Sequence, residues 1–435
     1  MRIYDYLKQH ENSDNYGFHM PGHKRNKELL DCDFPFGIDI TEIDGFDDLH
    51  HANGIIKEAQ NRAAKLYKAE ETHFLVNGST VGILSAILGT TKRGDKILIS
   101  RNCHKSVYHA VWMQGLEPMY IYPEHDKESG LNGEVASKDI KAMIEKEPDI
   151  KAIVVVSPTY DGVVSDIREI SEIAHEKGIP LIVDEAHGAH FGFHPYFPQN
   201  ANLLGADIVI HSVHKTLPAM TQTALLHMNG DLVCRNNVRK YLHILQSSSP
   251  SYVLMASIDA CMEFLEKSAK EAFEKYVERL EGLRKELKQL KNLKVEETRC
   301  YDKSKIVISV KNTDITSKKL AEILREKYHL QVEMEAGHYV LCMTSVADKK
   351  EGLHRLASAL QEIDVSLKQR KKEFEILPLP RATKGKVNIS NKYCYLYPPG
   401  IPIVIPGEEI TEEVQTYIDM HKKLGFDLVE MEEGE

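Results

Sequence analysis

From residue 55 onward the apolar positions of this chain alternate between two spacings. Three-to-four-residue spacing over 55–67, 81–88, 106–114, 137–145 and 167–176 predicts helices. Short apolar runs at 72–76, 96–100, 119–122, 152–157, 181–184, 207–211 and 223–227 predict strands. Strands separated by helices predict an α/β fold with a mainly parallel, doubly wound sheet. Ligands of such sheets bind at the carboxyl ends of the strands. Gly78, His104, Pro158, Asp184 and Ser212 all fall at or just after such ends.

The pattern then changes. Phe273, Tyr276, Val277, Leu280, Leu283, Leu287 and Leu290 mark a helix over 268–290. Its stripe lasts only about three heptads, which fits a domain-linking or dimer-packing helix better than a free coiled coil. A smaller α/β unit follows, with strands at 305–310, 330–334 and 339–343 and helices at 317–327 and from about 349. Prolines at 398, 399, 402 and 406 fix an extended path in the tail and exclude regular helix there. The first fifty residues show no alternation and read as an arm. The expected organisation is therefore an arm over 1–50, a large domain over 51–265, a small α/β domain over 266–370 and a C-terminal segment over 371–435.

Composition narrows the class without naming it. The chain has 435 residues, 42% hydrophobic and 28% charged, as globular proteins do. Its net charge of −10 argues against nonspecific nucleic-acid binding. Seven scattered cysteines without a CxxC pair read as reduced thiols, neither a disulfide framework nor a metal site. The N-terminus has no apolar stretch of signal-peptide length and no window reaches membrane-span length, so the chain reads as cytoplasmic, with no membrane partner.

Lys215 is the most informative candidate. It closes the run Asp207-Ile208-Val209-Ile210-His211-Ser212-Val213-His214-Lys215, one strand after Ile182-Val183-Asp184-Glu185-Ala186-His187. A carboxylate at one strand end and a lysine past the next fit pyridoxal 5'-phosphate: the lysine forms the Schiff base and the aspartate pairs with the protonated ring nitrogen. That attraction is on the order of 4 kcal/mol at about 4 Å in an effective dielectric of about 20, or about three pKa units. Alternatives for Asp184 are a helix cap or a metal site with His187 and His190, but no second cluster completes the latter. Gly78, Ser79 and Thr80 sit between a strand and a helix. Alone they read as an N-cap, and beside Lys215 they read as a phosphate cup. His104 reads either as a loop histidine or as a ring stacked on a flat cofactor. Ser212 and His214 are placed to touch the phosphate, with His214 or Lys215 as a later proton donor.

These residues carry a resemblance. MPGHKR at 20–25, NGST at 77–80, RNCHKS at 101–106, SPTYDG at 157–162, DEAHGAH at 184–190, HSVHKT at 211–216, QSSSPSY at 246–252 and YPPGIP at 397–402 resemble the ornithine/lysine/arginine decarboxylases of fold type I. The resemblance spans nearly the whole chain. It implies decarboxylation of a basic L-amino acid with Lys215, His214, Asp184 and His104 as catalytic groups. It also implies that His104 and Ala186 flank the cofactor ring, that His187 lies near its phenolic oxygen, and that Ser79, Thr80, Ser212 and His214 hold the phosphate. Ser249, or one of its neighbours in Ser247–Ser249, would reach the neighbouring subunit's phosphate, giving a homodimer with shared sites. Longer members carry a wing domain before the MPGHK segment. Here that segment starts at Met20, so a wingless short form, dimeric or tetrameric, is the expectation.

Two further expectations follow. The acidic stretch with Glu42, Asp44, Asp47 and Asp48 either receives the substrate's cationic tail or is a solvated loop. The rival reaction on this scaffold is an aminotransferase, which would want an arginine to clamp the α-carboxylate, with Arg381 as candidate. A rival of another class is a non-catalytic cofactor-binding regulator. A decarboxylase gains nothing from stabilising a carboxylate that must leave.

Overall fold

The computed structural model describes residues 1–16, 18–28, 30, 32–370, 376–385, 387–396, 400–423 and 428–432. After α1 (Ile3–Glu11), the large sheet and its helices run as α2 (Ile55–Tyr67), β1 (Glu71–Leu75), α3 (Gly78–Thr90), β2 (Lys96–Ser100), α4 (Lys105–Gln114) and β3 (Glu117–Ile121). They continue through α5 (Ser137–Lys146), β4 (Ile150–Val156), α6 (Ile167–His175), β5 (Leu181–Asp184), β6 (Ile208–His211), α7 (Val213–Thr216), β7 (Ala224–Met228) and α8 (Arg235–Leu245). Next come α9 (Tyr252–Leu287), β8 (Lys294–Glu296), β9 (Lys305–Ser309), α10 (Ser317–Tyr328), β10 (Met334–Ala336), β11 (Tyr339–Met343) and α11 (Lys350–Ser366). The C-terminal part holds β12 (Lys392–Leu396), β13 (Ile401–Val404), α12 (Glu412–Lys423) and β14 (Leu428–Glu432).

The large sheet has the order β1-β7-β6-β5-β4-β2-β3. β7 alone runs against its neighbours β1 and β6. The strands at its centre are buried on both faces, which explains their unbroken apolar runs. Register brings the functional ends together: Val156 pairs with Asp184, and Asp184 with Ile210. Thus β4, β5 and β6 end at one level, and their polar residues open on one side. The reversal of β7 is what returns the chain after the short turn that carries Lys215.

A four-stranded antiparallel sheet (β10-β11-β9-β8) and a three-stranded one (β13-β12-β14) complete the fold. Among the described residues, no helix is long and apolar enough to cross a membrane.

Four elements differ from the sequence reading. α9 has 36 residues and starts at Tyr252, sixteen residues before the expected 268. Its first turns are held by Tyr252, Met255, Ile258 and Met262, all buried, and its N-terminus is capped by Ser251, which accepts from Leu254. The strand expected at 330–334 forms only from Met334, because the Leu330 amide is still bonded to the carbonyl of Leu324 at the end of α10. The arm contains a helix, α1, whose Ile3 and Leu7 are buried. The tail is extended where expected at β13, yet α12 follows, beyond the last proline. Residues 397–399 of the YPPGIP motif lie outside the described residues.

Candidate active site

One cavity of about 280 Å³ lies at the carboxyl ends of the central strands. Gly78, Ser79, Thr80, His104, Asp184, Ala186, His187, Ser212, His214 and Lys215 all line it. Ten of the eleven expected residues therefore meet in one place.

Lys215 is the centre of this arrangement. Its Nζ lies 2.8 Å from Nε2 of His187. Burial lowers its pKa, Lys305 lowers it further, and Asp184 opposes both. A lysine so placed holds its proton less tightly and is a better nucleophile. While Lys215 is protonated, Nε2 of His187 accepts that bond and the ring's proton lies on Nδ1; toward the free amine Nε2 donates instead. That Nδ1 is buried without a partner among the described residues. Burial, and then the charge of Lys215, push His187 well below its ordinary range, so the ring is neutral.

Asp184 is 3% exposed at the end of β5, and one oxygen accepts from the amide of Ala186 at 3.2 Å. Burial raises its pKa, opposed by Lys215. A carboxyl in this position is short of positive charge, and a protonated pyridine nitrogen is the kind of group that would supply it. His104 is held by the Ser106 amide, which donates to its Nδ1 at 3.2 Å. Burial, then Lys215 and Lys105, push its pKa down to about 3, so it presents a neutral ring. His214 donates from Nδ1 to the carbonyl of Thr223 at 2.8 Å, and burial lowers its pKa. Its Nε2 is therefore an acceptor while the ring is neutral.

The phosphate cup has the features an anion needs. Gly78 adopts φ +74°, a left-handed conformation that suits glycine, and no side chain caps α3 behind it. The first-turn amides of α3 thus face the cavity beside Ser79 and Thr80. Oγ of Ser212, which can donate to an anion, and Oδ1 of Asn102, an acceptor that needs a donor instead, are buried and unpartnered among the described residues, and both residues line the cavity. Such atoms carry a cost unless something bonds them. The orphaned atoms, the uncapped helix and the carboxyl of Asp184 fit pyridoxal phosphate.

Both domain models of one family match this sequence: "Orn/Lys/Arg decarboxylase, major domain" over residues 2–342 and "Orn/Lys/Arg decarboxylase, C-terminal domain" over 353–427. The chain belongs to the Orn/Lys/Arg decarboxylase family. It is an amino-acid decarboxylase, a lyase, on the fold-type I scaffold, and the family implies pyridoxal phosphate. An arginine decarboxylase of Bacillus subtilis is 34% identical, with 96% of this chain and 92% of that protein covered. An arginine decarboxylase of Bacillus anthracis is 32% identical, with 98% and 93% covered. The crystal structure of the Francisella novicida lysine decarboxylase LdcF superposes with a TM-score of 0.82 at 20% identity, covering 99% of this chain and 78% of that one. That likeness shows the fold.

Several expected residues lie elsewhere in this decarboxylase. Ser249 is exposed in a turn with Ser247, outside its own chain's cavity. The acidic stretch does not line the cavity either. Asp47 spends its carboxylate on the amides of Asn53, Gly54 and Ile56, and Asp48 accepts from His50 and pairs with His51. These two are caps for α2 and the turn before it. Arg381 stacks over Tyr122 at 5.7 Å and lines a different cavity. No arginine is among the described residues that line the Lys215 cavity.

The structure also adds residues that the pattern did not single out. Tyr160, Asp161, Asn132 and Ile401 line the cavity. Lys305, at the start of β9, reaches the carbonyl of His187 at 3.4 Å. Tyr160 and Asp161 were inside a matching motif, which was the available signal. Nothing in the sequence around Lys305 pointed to it.

Proposed function

We propose that this chain binds pyridoxal 5'-phosphate at Lys215 and decarboxylates L-arginine to agmatine and carbon dioxide. The observation that carries the cofactor is the convergence of Lys215, Asp184, His104 and the uncapped start of α3 in one cavity. Arginine, chosen here over lysine and ornithine, is supported by the relatives that match over more than nine-tenths of both lengths and are named for it. The likeness to lysine decarboxylases in the solved structures bears on the fold.

When bound, the cofactor supplies an electron sink for the carbon–carbon bond that breaks. Asp184 would hold the proton on its ring nitrogen. His104 and Ala186 would flank the ring. The α3 amides, Ser79, Thr80 and Ser212 would hold the phosphate, with His214 beside it and able to donate to it from Nε2 only when the ring is protonated. Lys215 would carry the covalent attachment and be released when the substrate amine takes its place. The α-carboxylate leaves as carbon dioxide, and the electron pair left on the α-carbon takes a proton. Lys215 is the assigned donor, because neutral His214 has its only ring proton committed to the carbonyl of Thr223. His187, bonded to Nζ, would steer the amine. The exposed Ser247–Ser249 turn, unused by its own cavity, supports a homodimer in which each subunit lends Ser249 to the other's site.

The test is release of carbon dioxide and amine by the purified, cofactor-loaded protein given L-arginine, L-lysine or L-ornithine separately. Agmatine from arginine, lost in Lys215→Ala by about 10²-fold or more, is the expected result. A keto-acid product would replace this reading with an aminotransferase. Cofactor loading without release from any of the three would end the basic-amino-acid reading.

A further inference from the structure

Asp161 follows β4 in the turn 157–162 and lines the Lys215 cavity. It also lines a second, adjoining cavity of about 70 Å³. Asn132, Asp161 and Ile401 belong to both walls, so the two spaces meet at these residues. The second space is lined beyond them by Leu131, Tyr339 and Tyr417. Asp161 therefore sits where the reaction cavity opens into a side extension whose walls are apolar and aromatic, with imidazoles from His125, His338 and His421 among them.

The carboxylate is not neutralised by the protein. Tyr339 donates its hydroxyl to Oδ1 of Asp161. No lysine, arginine or histidine forms an ion pair with it among the described residues. Burial raises its pKa, only partly offset by the Tyr339 bond. Two buried carboxylates elsewhere in the chain are matched: Asp302 has Lys305 and His190, and Glu408 has Arg101. A half-buried carboxylate that faces a cavity without a countercharge is a place where a cation is favoured.

We propose that Asp161, oriented by Tyr339, receives the distal cation of the substrate. The reacting end of the amino acid is fixed at Lys215, so its far end must lie elsewhere along the wall of the same cavity. Ile401 and Leu131 supply apolar surface for the methylenes. A planar guanidinium presents paired N–H donors that match a carboxylate edge, and the Tyr339 hydroxyl leaves the second oxygen of Asp161 for them. This assignment rests on the decarboxylase reading above and replaces the acidic stretch of the arm as the tail receiver within one chain.

The experiment compares L-arginine with L-citrulline, which keeps the skeleton and replaces the guanidinium by a neutral urea. In Asp161→Asn, kcat/KM for arginine is expected to fall about 100-fold, mostly through KM, while citrulline is unaffected or improved. Calorimetry on the cofactor-loaded protein should show the same split, with agmatine weakened and its neutral urea counterpart unchanged. Tyr339→Phe keeps the carboxylate and should move arginine the same way by about tenfold, which covers the case that Asp161→Asn fails to fold. Equal losses on both ligands would make Asp161 a shaping residue and overturn the proposal. So would unchanged arginine kinetics in Asp161→Asn. In either of these outcomes wild-type release of agmatine leaves the decarboxylase reading standing. A wild-type protein that neither releases nor binds agmatine overturns both.

Discussion

The ammonium of Lys305 lies 3.0 Å from the carboxylate of Asp302, and neither side chain has any exposure. Asp302 also holds Nε2 of His190 at 3.1 Å, while Lys305 bonds Oγ of Ser304 and reaches the carbonyl of His187. The pair ties the start of β9 to the loop after β5, which carries Asp184, Ala186 and His187. The smaller sheet is thereby fastened to the residues that surround Lys215.

Removing one partner of such a pair strands the other charge. Lys305→Met is expected to cost about 3–5 kcal/mol of stability, while the double change Lys305→Met with Asp302→Leu recovers most of it. Denaturant midpoints of the two variants check this, and equal losses in both would defeat it. The pair also predicts a pH dependence. Burial works against the charge of Asp302, but Lys305 and His190 outweigh it and hold the carboxyl far below its ordinary range. Its stabilisation is fully present above the unfolded value of about 3.9 and is lost as pH falls from there through the lower folded value. Asp302→Asn should flatten the acid limb of the stability curve below about pH 4.

Arg101 is the second buried tie. It has no exposure and donates to Tyr108 Oη at 2.9 Å, the Pro402 carbonyl at 2.7 Å, the Ile403 carbonyl at 2.9 Å and Glu408 Oε2 at 3.0 Å. Three of these partners belong to the C-terminal unit. That unit places Gly400 so near the His104 ring that an added Cβ would stand 3.3 Å from its Nε2. It also contributes Ile401 to the cavity wall. Arg101→Lys cannot reproduce a fork that serves four acceptors. We expect faster hydrogen exchange across residues 400–408, a loss of about 3–5 kcal/mol in docking of the unit, and a fall in kcat/KM that accompanies it. Unchanged exchange in 400–408 would show that the unit is held by its apolar contacts alone.

The central part of this fold was legible because the physics there is local. Strands β4, β5 and β6 are buried on both faces, so each reads as an apolar run that stops at its first polar residue. Asp184 and His211 stand at the stops of β5 and β6, Ser212 comes next after His211, and Lys215 follows within one turn. The same logic fails for residues whose partners are distant in sequence. Lys305 opens an ordinary strand, and only its approach to His187, 118 residues away, gives it a place near the site. Asp47 and Asp48 read either as a tail receiver or as a solvated loop because charge alone does not reveal that the amides of residues 48–57 consume it. The first half of α9 escaped the pattern because Asp259 interrupts its stripe. In the structure Asp259 is buried there and paired with Arg2 and Arg62.

His104 separates the two uses a histidine has beside a flat ring. Its Nδ1 accepts from the Ser106 amide, and burial with the charge of Lys215 pushes its pKa down to about 3. It therefore stays neutral at ordinary pH, and in the proposed site it would meet the cofactor through its face. His104→Phe should retain the cofactor within a few-fold, whereas His104→Ala should lose it about tenfold more readily, the worth of an aromatic face. Cofactor dissociation after gel filtration, followed by absorbance, reads this directly. Equal losses in Phe and Ala would mean that a ring nitrogen, not the face, does the holding. A stability curve gives a second reading. The folded pKa lies below the unfolded value of about 6.5, so the neutral ring contributes stability above that pH and loses it as pH falls toward 3. His104→Phe removes one such proton, and the slope of stability between about pH 6 and pH 4 should decrease by about 1.4 kcal/mol per pH unit.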